Sequence, residues 1–209
     1  AVPLSEDARE QLRAWAQKIW QFYEEFAGSG DNYLPPDNFQ ENPPNGIAHR
    51  TSPTNIGFLL MAVLSARDFG FIGTAEMVEK LERIFDTIER MKKWKGHLYN
   101  WYDTRTLEVL RPAFVSSVDS GNFIAFLIVL KQGLYEYLDE SAGNGDGIRR
   151  RILDLIKRID AVTAETQFAP LFDEQRLLFS VGYHVEEEKL INSYYDLLAS
   201  EARVASFLA

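Results

Sequence analysis

A chain of 209 residues, 46% hydrophobic and 25% charged, has the composition of one globular domain, with enough length for one good-sized core and too little for two. Its net charge of −9 opposes nucleic acid and anionic membrane surfaces, which both need a basic field, but does not oppose an uncharged ligand such as a sugar. The lack of cysteine excludes disulfides and thiolate metal sites. His49, His97 and His184 are too scattered to form a zinc pair, so neither metal nor organic cofactor is expected.

Six helices are expected in chain order. The first follows Ser5, a suitable N-cap, and carries the stripe Leu12, Trp15, Ile19, Phe22, Tyr23 and Phe26 before Gly28-Ser-Gly30 stops it. A long loop with Pro35-Pro36 and Pro43-Pro44 follows. It is either the lining of a site or a surface crossing. The second helix opens on Ser52 and Pro53 and runs to Phe69. It is nearly uncharged from Ile56 to Ala66 and is expected to be buried on most sides. The third starts near Thr74, with Met77, Leu81, Ile84, Phe85 and Ile88 on one side and charges on the other.

The fourth helix, from about Ser116–Asp119 to Leu138, is apolar nearly all round, and the fifth, about Ile148–Glu165, is amphipathic. A sixth, rich in small residues, is expected from Ser193. Buried helices alternating with outer ones describe a ring of helical hairpins; in a four-helix bundle every helix would be one-faced. The fold class read from this order is all-α, a toroid of helical hairpins or (α/α) barrel, with short β-hairpins between helix pairs. No apolar stretch reaches the roughly 20 residues of a membrane span, and no charged-then-apolar leader opens the chain. The uncapped helix at Ser200–Ala209 is read as a C-terminal truncation, so residues 1–209 are expected to be a single domain, the N-terminal part of a larger one.

Two segments break the helical pattern, Gly96–Leu110 and Ala169–Tyr183, each expected to be a hairpin with a polar turn. Both contain aromatic-Asp-x-x-x-Leu, as Tyr102-Asp103…Leu107 and Phe172-Asp173…Leu177. This echo points to a repeated α–α–hairpin unit.

Polar-aromatic clusters lie where the chain enters the inner helices, and in a ring such points converge on one mouth. They are Arg50-Thr-Ser-Pro-Thr-Asn-Ile-Gly57, Tyr99-Asn-Trp-Tyr-Asp103 with Val118-Asp-Ser-Gly-Asn122, and Asn192-Ser-Tyr-Tyr-Asp196 with Glu201. A pyranose has apolar C–H faces for Trp and Tyr and a rim of hydroxyls for Asp, Asn, Arg and Glu. The candidate ligand residues are therefore Arg50, Asn55, Tyr99, Asn100, Trp101, Tyr102, Asp103, Asp119, Asn122, Tyr194, Tyr195 and Asp196. Several have a plainer reading. Asp119 and Asp196 could complete capping boxes with Ser116 and Ser193. Trp101 could be core, and only one of Tyr194 and Tyr195 can face a ligand. Arg50, just before a helix, opposes the helix dipole and so calls for a carboxylate or a ligand. Glycoside chemistry needs two carboxyls; Asp103, Asp119, Asp196 and Glu201 are the candidates, and spacing pairs none of them.

These four motifs, Arg50–Gly57, His97–Leu107, Val118–Asn122 and Ser193–Arg203, together resemble the central, glycoamylase-like domain of bacterial cyclic β-1,2-glucan synthases. The resemblance implies an (α/α)6 barrel, an (α/α)6 toroid of which this chain is about half, acting on linear β-1,2-glucan by ring-closing transglycosylation or, in related domains, by hydrolysis. It implies a β-glucan oligo- or polysaccharide and the remaining domains of a parent polypeptide as partners, on the cytoplasmic side of the inner membrane, with no direct membrane contact by this segment. It also implies catalytic glutamates beyond Ala209, so only cleft lining carries over to the motif residues. The alternatives are a non-catalytic glucan-binding module and a helical protein-interaction module, with dimerisation through exposed helix edges.

Overall fold

The computed structural model describes residues 3–140, 146–194 and 203–209, with backbone alone at 139, 140 and 146. Helix α1 (Glu6–Phe26) is capped by Ser5, whose hydroxyl accepts the Ala8 N–H. The long loop after it is not structureless. It folds into a small hairpin of β1 (Phe39–Gln40) and β2 (Gly46–Ile47), pinned to α1 by a Phe26–Phe39 ring stack. Strand β3 (Arg50–Thr51) leads into α2 (Pro53–Asp68), where the Ser52 hydroxyl accepts the Asn55 N–H and Pro53 takes the first turn, as expected from residue type.

Helix α3 (Thr74–Arg90) returns along the outside. The segment expected as one hairpin is two. The first is β4 (Lys93–Trp94) with β5 (His97–Leu98), turning at Lys95-Gly96, both at positive φ. The second is β6 (Tyr102–Asp103), which bridges Val109 around the Asp103 turn and also pairs with β3. The Gly96 position lies against the Glu165 backbone, 2.1 Å from where a Cβ would stand, so only glycine fits that turn.

Strand β7 (Phe114–Ser116) precedes α4 (Ser117–Glu140), and α5 (Asp146–Glu165) follows. Then come the second polar turn, between β8 (Phe172–Asp173) and β9 (Leu178–Phe179), and a further hairpin of β10 (Gly182–His184) and β11 (Lys189–Leu190). Strand β10 also pairs with β7, which ties this hairpin to the start of α4. The sixth helix does not begin at Ser193. Ser193 is irregular and Tyr194 makes an extended bridge to Ser180; the described helix is α6 (Arg203–Leu208), and the rest of the expected one lies outside the described residues.

The alternation read from the sequence is the observed packing. Helix α2 packs on α4 and α4 on α6, while α3 packs on α5 outside them. Where inner helices touch, side chains are missing: a Cβ on Gly57 would meet the Phe126 ring at 2.1 Å, and one on Gly121 would meet Ala205 at 2.7 Å. The outer helices bury one face, with Met77, Leu81, Phe85 and Ile88 of α3 and Ile152, Leu155 and Ile159 of α5 in the core. Helix α1 departs from expectation. It turns Trp20 inward, while Trp15 and Ile19 of its stripe stay 54% and 61% exposed, because among the described helices only α2 packs closely on it. Among the described residues no helix is long and apolar enough to cross a membrane.

Candidate functional site

Two inner helices and one strand pair assemble the site. The antiparallel pairing of β3 with β6 sets Arg50 opposite Asp103. That brings the 99–103 cluster to the start of α2, and packing of α2 on α4 brings Asp119 and Asn122 to the same end.

One line of hydrogen bonds, joined at one point by a cation–π contact, then runs across all three. Asp37, from the long loop, accepts Arg50 Nε and Nη2 on Oδ2 (3.1 and 2.8 Å) and Asn55 Nδ2 on Oδ1 (3.4 Å). The Arg50 guanidinium lies over the Trp101 ring, with Cζ 4.7 Å from its centroid. With the Asn100 amide turned so that its oxygen faces the indole N–H and its nitrogen the carboxylate, the orientation that satisfies both, Trp101 Nε1 donates to Asn100 Oδ1 (3.0 Å) and Asn100 Nδ2 donates to Asp119 Oδ2 (3.0 Å). Thr54 Oγ1 donates to Asp119 Oδ1 (2.7 Å), and Asn122 Nδ2 reaches Thr54 Oγ1 (3.4 Å).

Two ambiguities in the sequence are thereby settled. The awkward cation before α2 has its carboxylate: Asp37 pairs with Arg50 and stands beside the first turn, where negative charge is favourable. Of the suspected capping box, only half forms. The Ser116 hydroxyl accepts the Asp119 N–H (3.1 Å), while the Asp119 carboxylate reaches across to Thr54 and Asn100 instead. Each Asp119 oxygen has one of these bonds and can accept another, as a ligand hydroxyl would require.

Three candidates have other work. Strand alternation puts Trp101 and Asp103 on one side of the chain and Tyr102 on the other. Tyr102 is fully buried, with its hydroxyl accepting the Tyr99 N–H (2.8 Å) and donating to the Lys92 carbonyl (2.6 Å); burial pushes that hydroxyl far above its ordinary pKa. Tyr99 is 3% exposed, its hydroxyl likewise raised by burial, and it packs edge-on against Tyr102. Both are core residues, a correction to their reading as ligand contacts. Asp103 Oδ1 accepts the N–H groups of Arg105 and Thr106 (both 2.9 Å). Burial pulls this carboxyl upward, but those backbone donors and the Arg105 guanidinium outweigh it and hold it below the usual range. Its first duty is to form the turn.

Of the third cluster, Tyr194 is described. Its bridge partner Ser180 accepts the Ser117 hydroxyl through its carbonyl (2.7 Å), which places this segment beside the start of α4. The Tyr194 hydroxyl, however, donates to Asp173 Oδ2 (2.5 Å) under the Arg176 guanidinium, so it belongs to the second turn. Tyr195, Asp196 and Glu201 lie outside the described residues. The structure therefore gathers Arg50, Asn55, Asn100, Trp101, Asp119 and Asn122, and adds two residues absent from the candidates, Asp37 and Thr54. Thr54 sat inside a quoted motif. Asp37 lies in the long loop between α1 and α2, where no local signal marks it. Among the described residues no three His, Asp or Glu side chains cluster to hold a metal.

The chain has relatives among known proteins. Residues 14–141 match a family described as "Protein of unknown function (DUF3131)". The cyclic β-(1,2)-glucan synthase NdvB of Rhizobium meliloti (strain 1021) is 48% identical over 149 residues, a match covering 69% of this chain and 5% of that protein. Among solved structures, the endo-β-1,2-glucanase from Chitinophaga pinensis, in complex with sophorotriose and glucose, aligns with a TM-score of 0.75 at 17% identity over 99% of this chain and 47% of its own. The β-1,2-glucanase from Parabacteroides distasonis aligns with a TM-score of 0.75 at 17% identity, over 100% of this chain and 28% of its own. The chain thus spans less than half the length of the relatives it matches. At such identities the two structures speak for the fold, which is part of an (α/α)6 barrel.

Proposed function

This chain belongs to the DUF3131 family, and from that premise we propose that it forms one wall of a glucan cleft in a domain that transglycosylates or hydrolyses β-1,2-glucan. The observation that carries the reading is the line Asp37–Arg50–Trp101–Asn100–Asp119–Thr54 at the start of the inner helices. It sets an indole, held from one side by a guanidinium, next to a carboxylate whose orientation is fixed by two donors. Ring face and hydroxyl acceptor side by side are what a pyranose requires. The half-exposed position of Trp101 leaves it open to a sugar. The 48% identity to a β-1,2-glucan synthase supports this linkage over others.

In this reading Asp119 is the cleft carboxylate supplied by the described residues. The second carboxyl of a glycosidase pair comes from outside them, from Asp196, Glu201 or the rest of a longer polypeptide. The remaining domains of that polypeptide are the other partners, and the cytoplasmic side of the inner membrane is the expected place. Residues 1–209 then form one domain, the first part of the barrel.

The test is calorimetric titration with linear β-1,2-glucan, with β-1,3- and β-1,4-glucans for comparison. Preferential binding of the β-1,2 polymer, weakened about tenfold by Trp101→Ala or Asp119→Asn, is the expected result. Failure to bind any glucan would remove the reading. The same substitutions in a polypeptide carrying the complete barrel, with products analysed by mass, separate catalysis from binding. Unchanged turnover at saturating glucan would leave a binding module only.

A further inference from the structure

The hairpin of β1 and β2 walls a second concavity that the proposed cleft does not use. It is a groove of about 430 Å³, within the usual range for ligand sites, and its polar lining is Asn38, Gln40, Asn45, His49, Arg50 and Arg105. It shares Arg50 with the rim and no other member of the hydrogen-bonded line. In a chain of 31 acidic residues, no carboxylate lines it.

Its arginines and its histidine nonetheless each have a carboxylate partner outside the lining. Arg50 has Asp37 (2.8 Å), His49 Nδ1 has Asp31 Oδ1 (2.7 Å), and Arg105 has Asp103 (3.8 Å). Asp31 also receives the Thr104 hydroxyl, which fixes it under the His49 ring. A fully charged anion would therefore meet little net field here. The atoms left over are of both kinds. Arg50 Nη1 and the Asn45 amide nitrogen can donate. The side-chain oxygens of Asn38, Gln40 and Asn45 can accept, because the Asn38 and Gln40 nitrogens are already bound to Asp37 (3.1 Å) and the Pro43 carbonyl (2.9 Å). A mixed set of donors and acceptors suits hydroxyl groups, each of which does both. The wall is also held in place: Phe39 stacks on Phe26 (5.3 Å), and the Ala48 N–H bonds to the Asn38 carbonyl (2.9 Å).

We propose that this groove is a second saccharide subsite, which takes a further unit of the glucan lying on Trp101, with Arg50 as the wall between them. It rests on the glucan reading above. Asn45 and Arg105 are exposed, so Asn45→Ala, Arg105→Ala and their combination can be made without opening the core, and matching thermal melts verify folding. A β-1,2-linked disaccharide and a long linear β-1,2-glucan are titrated by calorimetry into each protein. The wild type binds the long glucan more tightly. The combined variant loses about three- to tenfold on the long glucan, and loses less on the disaccharide. Equal affinity of variant and wild type for the long glucan would overturn the subsite and leave the rim reading standing. A wild type that binds no glucan would overturn both. Displacement of the long glucan by inorganic phosphate, abolished in the combined variant, would assign the groove to an anion and overturn the saccharide proposal.

Discussion

At Asp103, carboxylate Oδ1 takes the backbone N–H groups of Arg105 and Thr106 (both 2.9 Å); at Asp173 it takes those of Gln175 and Arg176 (2.9 and 3.1 Å). Each turn closes with a leucine at positive φ, Leu107 at 62° and Leu177 at 55°, whose N–H returns to the aspartate carbonyl (2.9 and 2.8 Å). The flanking residues differ. Trp101 precedes the first turn half-exposed beneath Arg50, whereas Leu171 stands in its place at the second, fully buried. Tyr102 is sealed in the core with both hydrogen bonds spent, whereas Phe172 is half-buried. The aspartates are thus common to both turns because the turn needs them, and the position before them is free to be core or ligand surface. An acid found in both copies says little about a site; the aromatic found in one copy says more.

The sharpest way to break that comparison is at the unlike position. Leu171→Ala should cost about 2–5 kcal/mol of stability, the usual loss for a fully buried leucine. Trp101→Ala should cost much less stability and should act on glucan affinity instead. Denaturant melts of both variants, alongside titration of Trp101→Ala, check this. Equal destabilisation would mean that Trp101 is core. Next in size is Tyr102→Phe, which leaves the Tyr99 N–H and the Lys92 carbonyl without their partner and should cost about 1–3 kcal/mol. A melting temperature unaltered by that change would sink the account of Tyr102 as a hydrogen-bonded core residue.

Asp103→Ala should follow at about 1 kcal/mol, from two lost turn hydrogen bonds, with Asp173→Ala of the same sign. Asparagine at either position keeps an acceptor oxygen and should restore most of the loss. Glucan affinity that fell with Asp103→Asn while the melt stayed unchanged would return Asp103 to the ligand surface. The smallest effect concerns His97, whose Nε2–H donates to the Gln167 carbonyl (2.7 Å) beneath the first hairpin. Burial depresses its pKa against the opposing pull of that carbonyl. As pH falls through about 6.5, the unfolded chain takes up the proton first, so His97's contribution is complete above that value and is lost below it. Melts between about pH 7.5 and 5.5 should slope accordingly, and His97→Gln should flatten the slope. An unchanged slope would place its origin elsewhere.

Much of this comparison could be read in the sequence. Helices apolar all round are distinguishable from one-faced helices, and that difference ordered α2, α3, α4 and α5 correctly. The echo at Asp103 and Asp173 was visible because a tight turn fixes both residue type and spacing. What escaped was the phase of short strands. Two residues of β6 are too few for alternation to tell whether Trp101 or Tyr102 faces the core, and the pairing with β3 decides it. Asp37 escaped for a related reason. Its partnership with Arg50 exists only because β1 and β2 fold the loop back, and nothing in the residues around Asp37 announces that. The stripe on α1 misled in the opposite direction: its periodicity was helical, but periodicity does not say what covers each face.

The contact between Gly57 and Phe126 has a bearing on the proposed cleft. Gly57 lies one turn along α2 from Thr54, and Phe126 lies two turns along α4 from Asp119. The interval across which Thr54 reaches Asp119 is therefore gauged by an atom that is missing. A single methyl at residue 57 would collide with the Phe126 ring, and a parting of the helices that relieved the clash would loosen the Thr54–Asp119 bond. In the proposed cleft the calibre of the opening is then set well below its lip, and variants that widen or narrow it should be sought there as well as at the rim.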